Sequence, residues 1–416
     1  MTIKHLFCLL LASFFCTCAC AQPLDTLRAM LRQNNPEIRA LELDYRAALQ
    51  QSSQVSQLPD LELGAGFFIL PVETRTGPQR FRVGASQMLP WPGKLAAMAA
   101  VADARARPLL EKVAARQLML MYRLETAYYR LADKAARAEV LRENLDLFDG
   151  LEALALSRLE SGRGSSVDVY RLQMERRQLE RQLEEFSQAG QREMATINGL
   201  LSRPPDVQIS PSLDPVNRVA QILEYAPDLA NDDPDLSDHP SLRIFAWQRE
   251  ASRSAIALSA LEQRPDFGIG LDYIAVGRRS DLDPPGNGRD ILLPRAMVRI
   301  PLSKEKYSAR RQEEEIRMEA LEARRQSTED ELRAEIRRAL VSIDEAAGEL
   351  LFLEEQNRTL AASLTIARSE FANGKRPLDE LLRLEYQSIQ YQHQAVMART
   401  TILLQDAAIN RLLYNQ

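Results

Sequence analysis

The chain has 416 residues, long enough for more than one ordinary domain. Its 53 Lys and Arg against 58 Asp and Glu leave a formal net charge of -5 at pH 7, which excludes the basic stripe a nucleic-acid binder needs. Charged residues make up 27% and hydrophobic ones 45%, which excludes a helical membrane protein, and the scattered histidines His5, His239 and His393 form no metal-spaced pair.

The first stretch, "MTIKHLFCLLLASFFCTCACAQ", has a basic start at Lys4, an apolar run from Leu6 to Phe15, and small residues at Ala19 and Ala21. It reads as a secretory signal peptide over residues 1–21, cleaved before Gln22. The competing readings are a buried N-terminal helix and a lipoprotein signal. The latter would place a lipid on Cys20, although Thr17 stands where such signals prefer an aliphatic residue. Cys8, Cys16, Cys18 and Cys20 are all in this stretch, so the mature chain is expected to have no disulfide pair. The expected protein is an exported one.

Residues 25–57 carry a helical pattern, with Asn35 and Pro36 marking a break or a new start. At Pro59 the period changes to two. Leu61, Leu63, Ala65, Phe67 and Ile69 fall on one face, and Glu62, Gly64 and Gly66 on the other. After the turn "TRTGPQ", Phe81, Val83, Ala85 and Leu89 oppose Arg82, Gly84 and Ser86. This predicts a hairpin with one apolar face and one small or polar face. A very long helix is predicted from Gly93 to about Ser161, roughly 100 Å at 1.5 Å per residue, with Pro108 expected to kink or break it. Gly162 and Gly164 end it, and a return helix runs to Leu201, where "SRPPD" stops it. Residues 202–237, rich in Pro and Asp, read as a less regular connector.

The programme then restarts. "HPSLRIFAWQREA" follows "NPEIRALELDYRA", and "RPDFGIGLDYIAV" follows "LPDLELGAGFFIL". Phe267, Ile269, Leu271 and Tyr273 oppose Gly268, Gly270 and Asp272, and Ala296, Val298 and Ile300 oppose Arg295, Met297 and Arg299. A second long helix is predicted from about Lys304 to Asn373, then Gly374 and a return helix. The chain is a tandem duplication, with repeat 1 over about 25–201 and repeat 2 over about 238–414. Strands are expected at about 59–71, 80–90, 264–276 and 291–302. The fold class is mostly α: duplicated long helical hairpins with four strands per protomer.

Strands with one apolar and one polar face suit either soluble hairpins packed on helices or a membrane barrel. Four strands cannot close a barrel in lipid, because open edges leave unpaired backbone groups. Oligomerisation removes that difficulty: two copies would supply eight strands, three copies twelve. The long helices, with narrow apolar stripes, suit a coiled-coil wall wetted on one or both sides, or an ordinary elongated coiled coil.

With both halves in view, the chain resembles the TolC family of outer-membrane efflux channels. The resemblance covers essentially the whole mature chain, 22–416, and its most specific stretch is "SQMLPWPGKL" at 86–95. "NNPEI", "INGLL" and the two glycine turns add to it by their order and duplication. It implies a homotrimer with a twelve-stranded barrel in the cell outer membrane, continuous with a periplasmic helical tunnel. Such a channel is the passive exit duct of a tripartite efflux system, docking onto a periplasmic adaptor and an inner-membrane pump. It has no cofactor and no chemistry of its own. "LPWPGKL" leans toward the heavy-metal-efflux, CzcC-like branch, so the implied cargo is heavy-metal cations or drugs.

The resemblance also assigns the tip. "GRGSSVDVYRLQ" from Gly162 and "GKRPLDELLRLE" from Gly374 are the same turn twice, with Asp168 on Glu380 and Arg171 on Arg383. It implies adaptor docking around Gly162, Ser165, Asp168, Gly374 and Pro377, and a gate built from Asp168, Arg171, Asp379, Glu380 and Arg383. Some family members carry a second acid where this chain has Arg171 and Arg383. The departure points to an interlocking acid–base tip rather than a double acidic ring. The same residues have local roles beside this one. Ser165-x-x-Asp168 is a capping box, Pro377 suits a first helical position, and Asp379 and Glu380 favour a helix dipole.

Two other function classes stand beside this one. A periplasmic coiled-coil scaffold or adaptor would share the long hairpins, but adaptors usually have one hairpin flanked by lipoyl-like and barrel domains. An enzyme would need a catalytic constellation, and the chain has no Ser/His/Asp arrangement, phosphate loop or metal-spaced cluster.

Overall fold

The computed structural model describes residues 23–211 and 215–414. The expected signal peptide and Cys20 lie outside the described residues. The chain divides into two compact units, which among the described residues hold 23–39, 115–239 and 330–414 in one, and 40–114 and 240–329 in the other.

Helices α1 (Leu24–Asn34) and α2 (Pro36–Val55) meet at Asn35. The Asn35 carboxamide oxygen accepts from the amides of Glu37 at 3.0 Å and Ile38 at 3.2 Å, while Pro36 occupies the first helical position, where its missing N–H costs nothing. The carboxamide nitrogen donates to the Leu200 carbonyl at 2.8 Å. One residue therefore ends α1, starts α2 and ties both to the end of the first return helix.

Strands β1 (Glu62–Phe67), β2 (Glu73–Thr74) and β3 (Gly77–Leu89) form the first hairpin. After the very long α3 (Lys94–Glu160) and its return helix α4 (Ser166–Leu200) come α5 (Pro215–Asn231) and α6 (Pro240–Glu262). Strands β4 (Asp266–Val276) and β5 (Ile291–Arg299) form the second hairpin, followed by α7 (Lys304–Ala372) and its return helix α8 (Leu378–Leu413). Two expectations need correction. Of the kink or break expected at Pro108, the break does not occur: helix α3 runs on through it. The connector holds a regular helix, α5, with Pro227 inside it.

The two hairpins make one antiparallel sheet in the order β1-β3-β4-β5, joined across the repeats by β3 and β4. Register assigns the faces. Gly64, Gly84, Asp272 and Leu293 lie side by side on one face, as do Glu62, Ser86, Gly270 and Arg295. Leu63, Ala85, Leu271 and Pro294 lie together on the opposite face. That apolar face is uncovered in the chain: Leu63, Phe67, Ile269 and Val298 are all exposed. A soluble monomer rarely leaves so continuous an apolar face open.

The sheet enters α3 through Pro90, Trp91, Pro92 and Gly93, with Gly93 at φ +86°. Asp266, at the start of β4, accepts from the Trp91 amide at 3.0 Å and the Lys94 ammonium at 2.7 Å, and the Trp91 and Phe267 rings lie 6.0 Å apart. This is what the stretch "LPWPGK" does physically: it turns a strand into a helix and bolts the corner to the other repeat.

The helical unit has a core of buried residues from α3, α4, α7 and α8, among them Phe148, Leu172, Leu179, Phe371, Leu381 and Ile389. Each such side chain contributes about 2 kcal/mol by leaving water. A second set of contacts is ionic. Arg28 of α1 donates to Glu125 of α3 at 2.8 Å, and Arg218 of α5 donates to Asp406 of α8 at 2.8 Å. Tyr225 also donates to Asp406. Burial pushes the Glu125 carboxyl and the Tyr129 hydroxyl upward, and the neighbouring Asp406 adds to both.

Candidate functional site

The two glycine turns close in the same way. At the first, Gly162 N–H donates to the Leu159 carbonyl at 3.0 Å and Arg163 N–H to the Arg158 carbonyl at 2.8 Å. At the second, Gly374 donates to Phe371 at 3.0 Å and Lys375 to Glu370 at 2.9 Å. These are Schellman caps, which need a left-handed residue, and Gly162 and Gly374 have φ of +71° and +72°. Two helices more than sixty residues long thus stop on one motif, each handing over to a return helix after a short turn.

The caps that start the return helices differ. The Ser165 hydroxyl accepts from Val167 N–H at 3.2 Å, so it caps α4, but the Asp168 amide is held by the Ser165 carbonyl at 3.1 Å. The hydroxyl half of the expected box is made one residue early, and the Asp168 carboxylate takes no part in it. Pro377 is the N-cap of α8, in extended conformation, and Leu378 is the first helical residue. Pro377 therefore sits one residue before the first helical position expected for it. Its ring leaves no side-chain cap, and Asp379 and Glu380 supply the negative charge in that first turn.

The structure brings several predicted tip residues together. Arg171 of α4 forms an ion pair with Asp379 of α8, both side chains being largely exposed. Glu380 is held by Arg376, whose Nη1 lies 2.6 Å away, and the same Arg376 donates through Nε to Glu370 at 2.8 Å. Asp168 and Arg383 carry no ion pair among the described residues. The acids at equivalent positions of the two repeats are thus in different states, Glu380 engaged and Asp168 free.

Sequence reasoning missed the residue that connects the turns. Arg158, in the last turn of α3, donates to the Phe371 carbonyl at 2.6 Å and reaches the Arg163 carbonyl at 3.4 Å. Its guanidinium lies 4.8 Å from the centre of the Phe371 ring. Phe371 O also takes the Gly374 amide, so one carbonyl serves the second cap and the first hairpin. Further from the turns, Tyr386 of α8 donates to Glu175 of α4. Arg368 grips the fully buried Glu385 through Nε at 2.7 Å and Nη2 at 2.8 Å, which raises the Arg368 guanidinium above its ordinary value, chiefly through those hydrogen bonds.

A second polar constellation lies on the glycine-bearing face of the sheet. Asp272 of β4 is buried, with Arg82 of β3 at 2.5 Å and Arg295 of β5 at 2.6 Å from the same carboxylate oxygen. Gly84 sits directly beside it in register, and a Cβ there would lie 2.0 Å from the other Asp272 oxygen. The missing side chain is the space the carboxylate occupies. Two cations thus converge on one buried anion, with Glu62 in the same cross-strand row as Arg295.

No group of His, Cys, Asp and Glu that could hold a metal ion occurs among the described residues. No helix there is long and apolar enough to cross a membrane.

Residues 235–413 match the family described as outer membrane efflux protein. None of the curated proteins matches. Among solved structures, the chain is similar to the outer membrane protein VceC of Vibrio cholerae, at 17% identity and a TM-score of 0.71, covering 94% of this chain and 95% of that one. It is similar to CusC at 15% identity and a TM-score of 0.73, covering 94% and 91% of the two chains. It is similar to the MtrE outer membrane channel of Neisseria gonorrhoeae at 15% identity and a TM-score of 0.70, covering 94% and 88%. The chain thus carries the fold of these outer-membrane channels, and its residues 235–413 carry the sequence pattern of the outer membrane efflux protein family.

Proposed function

We propose that this chain is one protomer of an outer-membrane exit duct in a tripartite efflux system, and that it is not an enzyme. The observation that carries the reading is the sheet: an uncovered apolar face, a face of glycines and charges, and two unpaired edges, β1 and β5. Lipid on the apolar side and water on the other satisfies both faces. The edges need a partner strand, because unpaired backbone groups are not tolerated in hydrocarbon. A homotrimer pairs them and closes twelve strands around a lumen. A periplasmic coiled-coil scaffold would leave the apolar face without a role.

In this reading residues 1–21 are removed on export, with Cys20 lipidation as the alternative. The four sheet strands lie in the outer membrane, and the helices extend into the periplasm. The paired turns at Gly162 and Gly374, with Ser165 and Pro377, meet the adaptor that links the duct to an inner-membrane pump. Asp168, Arg171, Asp379, Glu380 and Arg383 form the gate, and Arg171–Asp379 is an ion pair that, with the Arg158–Phe371 bond, ties one hairpin to the other there. The heavy-metal-efflux branch is the one the "LPWPGKL" corner favours, with heavy-metal cations as cargo and drugs as the other class.

The test is fractionation of the full-length protein expressed in its secreted form. The mature chain is expected in the outer-membrane fraction and as a trimer in detergent. A soluble monomer would overturn the reading.

A further inference from the structure

The strands of the sheet join helices at one end and loops at the other, and the loop end has a chemistry of its own. The turn around Arg75 and the loop 277–290 are locked together. Gly288 N–H donates to the Thr76 carbonyl at 2.7 Å, and Gly277 N–H to the Pro78 carbonyl at 2.7 Å. Around these two bonds stand Arg75, Arg80, Arg278 and Arg289, all exposed. Two of them pack over glycines of that loop. A Cβ on Gly277 would lie 2.6 Å from Arg80 Nε, and one on Gly288 would lie 2.6 Å from Arg278 Cγ. Arg289 borders Gly286, which also touches Thr76 beside Arg75.

None of these guanidinium groups makes a hydrogen bond or an ion pair among the described residues. The acids of the same loops are largely committed elsewhere. Asp281 takes both arms of Arg279, at 2.9 and 2.6 Å. Asp290 accepts from the Tyr273 hydroxyl and from Val276 N–H. Asp283 accepts from Asn287 at 3.0 Å. Glu73 alone stands exposed without such a partner. Beyond the end of β1 the same hairpin exposes Ile69 (94%) and Leu70 (86%), and it is tied to the strand that carries Arg80 through Phe68 N–H to the Arg80 carbonyl and Gln79 N–H to the Val72 carbonyl.

Free arginines in a pre-formed cluster, at the edge of an apolar band, fit a surface that has phosphates above hydrocarbon. Guanidinium groups bind phosphate bidentately, and basic side chains at an anionic lipid surface each contribute about 1 kcal/mol. We infer that Arg75, Arg80, Arg278 and Arg289 form a binding site for the phosphate groups of a phosphorylated glycolipid, whose acyl chains pack on the adjoining apolar face. The inference rests on the outer-membrane reading, because it needs this end of the sheet at a lipid headgroup layer.

The experiment uses the full-length mature protein reconstituted in vesicles, with native mass spectrometry on the released complex. The probes are diphosphoryl lipid A, phosphatidylcholine and inorganic phosphate. The parent is expected to retain diphosphoryl lipid A over phosphatidylcholine, and the fourfold Arg→Gln variant to lose that retention by at least about tenfold. The paired variants Arg75→Gln with Arg289→Gln, and Arg80→Gln with Arg278→Gln, are expected to lose an intermediate amount, which covers failure of the fourfold variant to fold. Equal retention by parent and paired variants would overturn the site. So would full displacement of the lipid by inorganic phosphate, since that assigns the arginines to a free anion. A parent that inserts but shows no preference between the lipids overturns this inference alone. A parent that enters no bilayer overturns the duct reading, and this inference with it.

Discussion

Gly162 and Gly374 show how a single residue type can be both legible and limited in effect. Their left-handed conformation would cost an alanine about 1 kcal/mol. A Cβ at Gly162 would meet nothing within 4 Å, and at Gly374 the nearest atom, Arg158 Nη2, is at 3.5 Å. Gly162→Ala and Gly374→Ala are therefore each expected to destabilise the helical hairpin by about 1 kcal/mol, measured by denaturant unfolding. A loss of core-truncation size at either position would contradict the account. Gly84→Ala belongs to a different class. Its Cβ would fall 2.0 Å from one Asp272 oxygen, so the carboxylate has to turn while its other oxygen is held by Arg82 and Arg295. The expected outcome is a much larger loss, seen as failure of the detergent-extracted protein to resist heat as an assembly; parent-like heat resistance would contradict it. The turns were readable in the sequence because glycine at a fixed offset is a backbone requirement repeated twice. Arg158 was not, because its partner is the carbonyl of Phe371, and a carbonyl has no letter of its own.

At the scale of elements, period decided what could be read. Strand faces followed from strict alternation, and the residues assigned to each face sit together in the register of the sheet. Helix α5 hid behind a composition rich in Pro and Asp, yet Val219, Ile222 and Ala226 bury one side of it with helical spacing. Pro108 was expected to interrupt α3, but the helix continues through it. Packing of one helix on its neighbours outweighs one lost hydrogen bond. The packing of α3, α4 and α8 also sets a pH dependence. His393 of α8 lies against the Phe186 ring of α4, 5.5 Å between centroids, and its Nε2–H donates to the Arg137 carbonyl of α3 at 3.3 Å. Burial, and then the Arg137 charge, hold the imidazole below its usual 6.5, while Asp133 pulls weakly the other way. The unfolded chain therefore binds the proton more readily than the folded one. Stability is complete above pH 6.5 and falls as acidity increases below it. The helical unit is expected to weaken as the pH falls below 6.5, and His393→Gln to flatten that slope. His239, also held low by burial, leaves a residual slope. Identical pH profiles for parent and variant would remove His393 from the account.

For the whole molecule, the duplication was plain in the sequence, but the partnership between the two hairpins was not. Equivalent positions carry Arg171 and Arg383, or Asp168 and Glu380, and equivalence alone suggests that they behave alike. The fold separates them: Arg171 reaches across to Asp379, Glu380 turns to Arg376, Asp168 is half-buried without an ion pair among the described residues, and Arg383 is exposed. If the tip is a gate, its closed state depends on the bonds that cross between hairpins, and Arg171–Asp379 is the exposed one. Such a pair is weak and screened by salt, which suits a contact that has to open. Charge reversal separates this role from simple stability. Arg171→Asp sets two acids against each other, and Asp379→Arg sets two cations, so each single variant is expected to raise single-channel conductance several-fold in planar bilayers. The double variant restores the pair with reversed polarity and is expected to return toward the parent value. Glu380→Ala should change conductance less, because Arg376 keeps Glu370 as a partner. Arg383→Ala breaks no bond and tests only the field at the mouth. If both single reversals match the parent, this pair does not hold the tip; if both open it and the double stays open, the charges act on the lumen and not on each other.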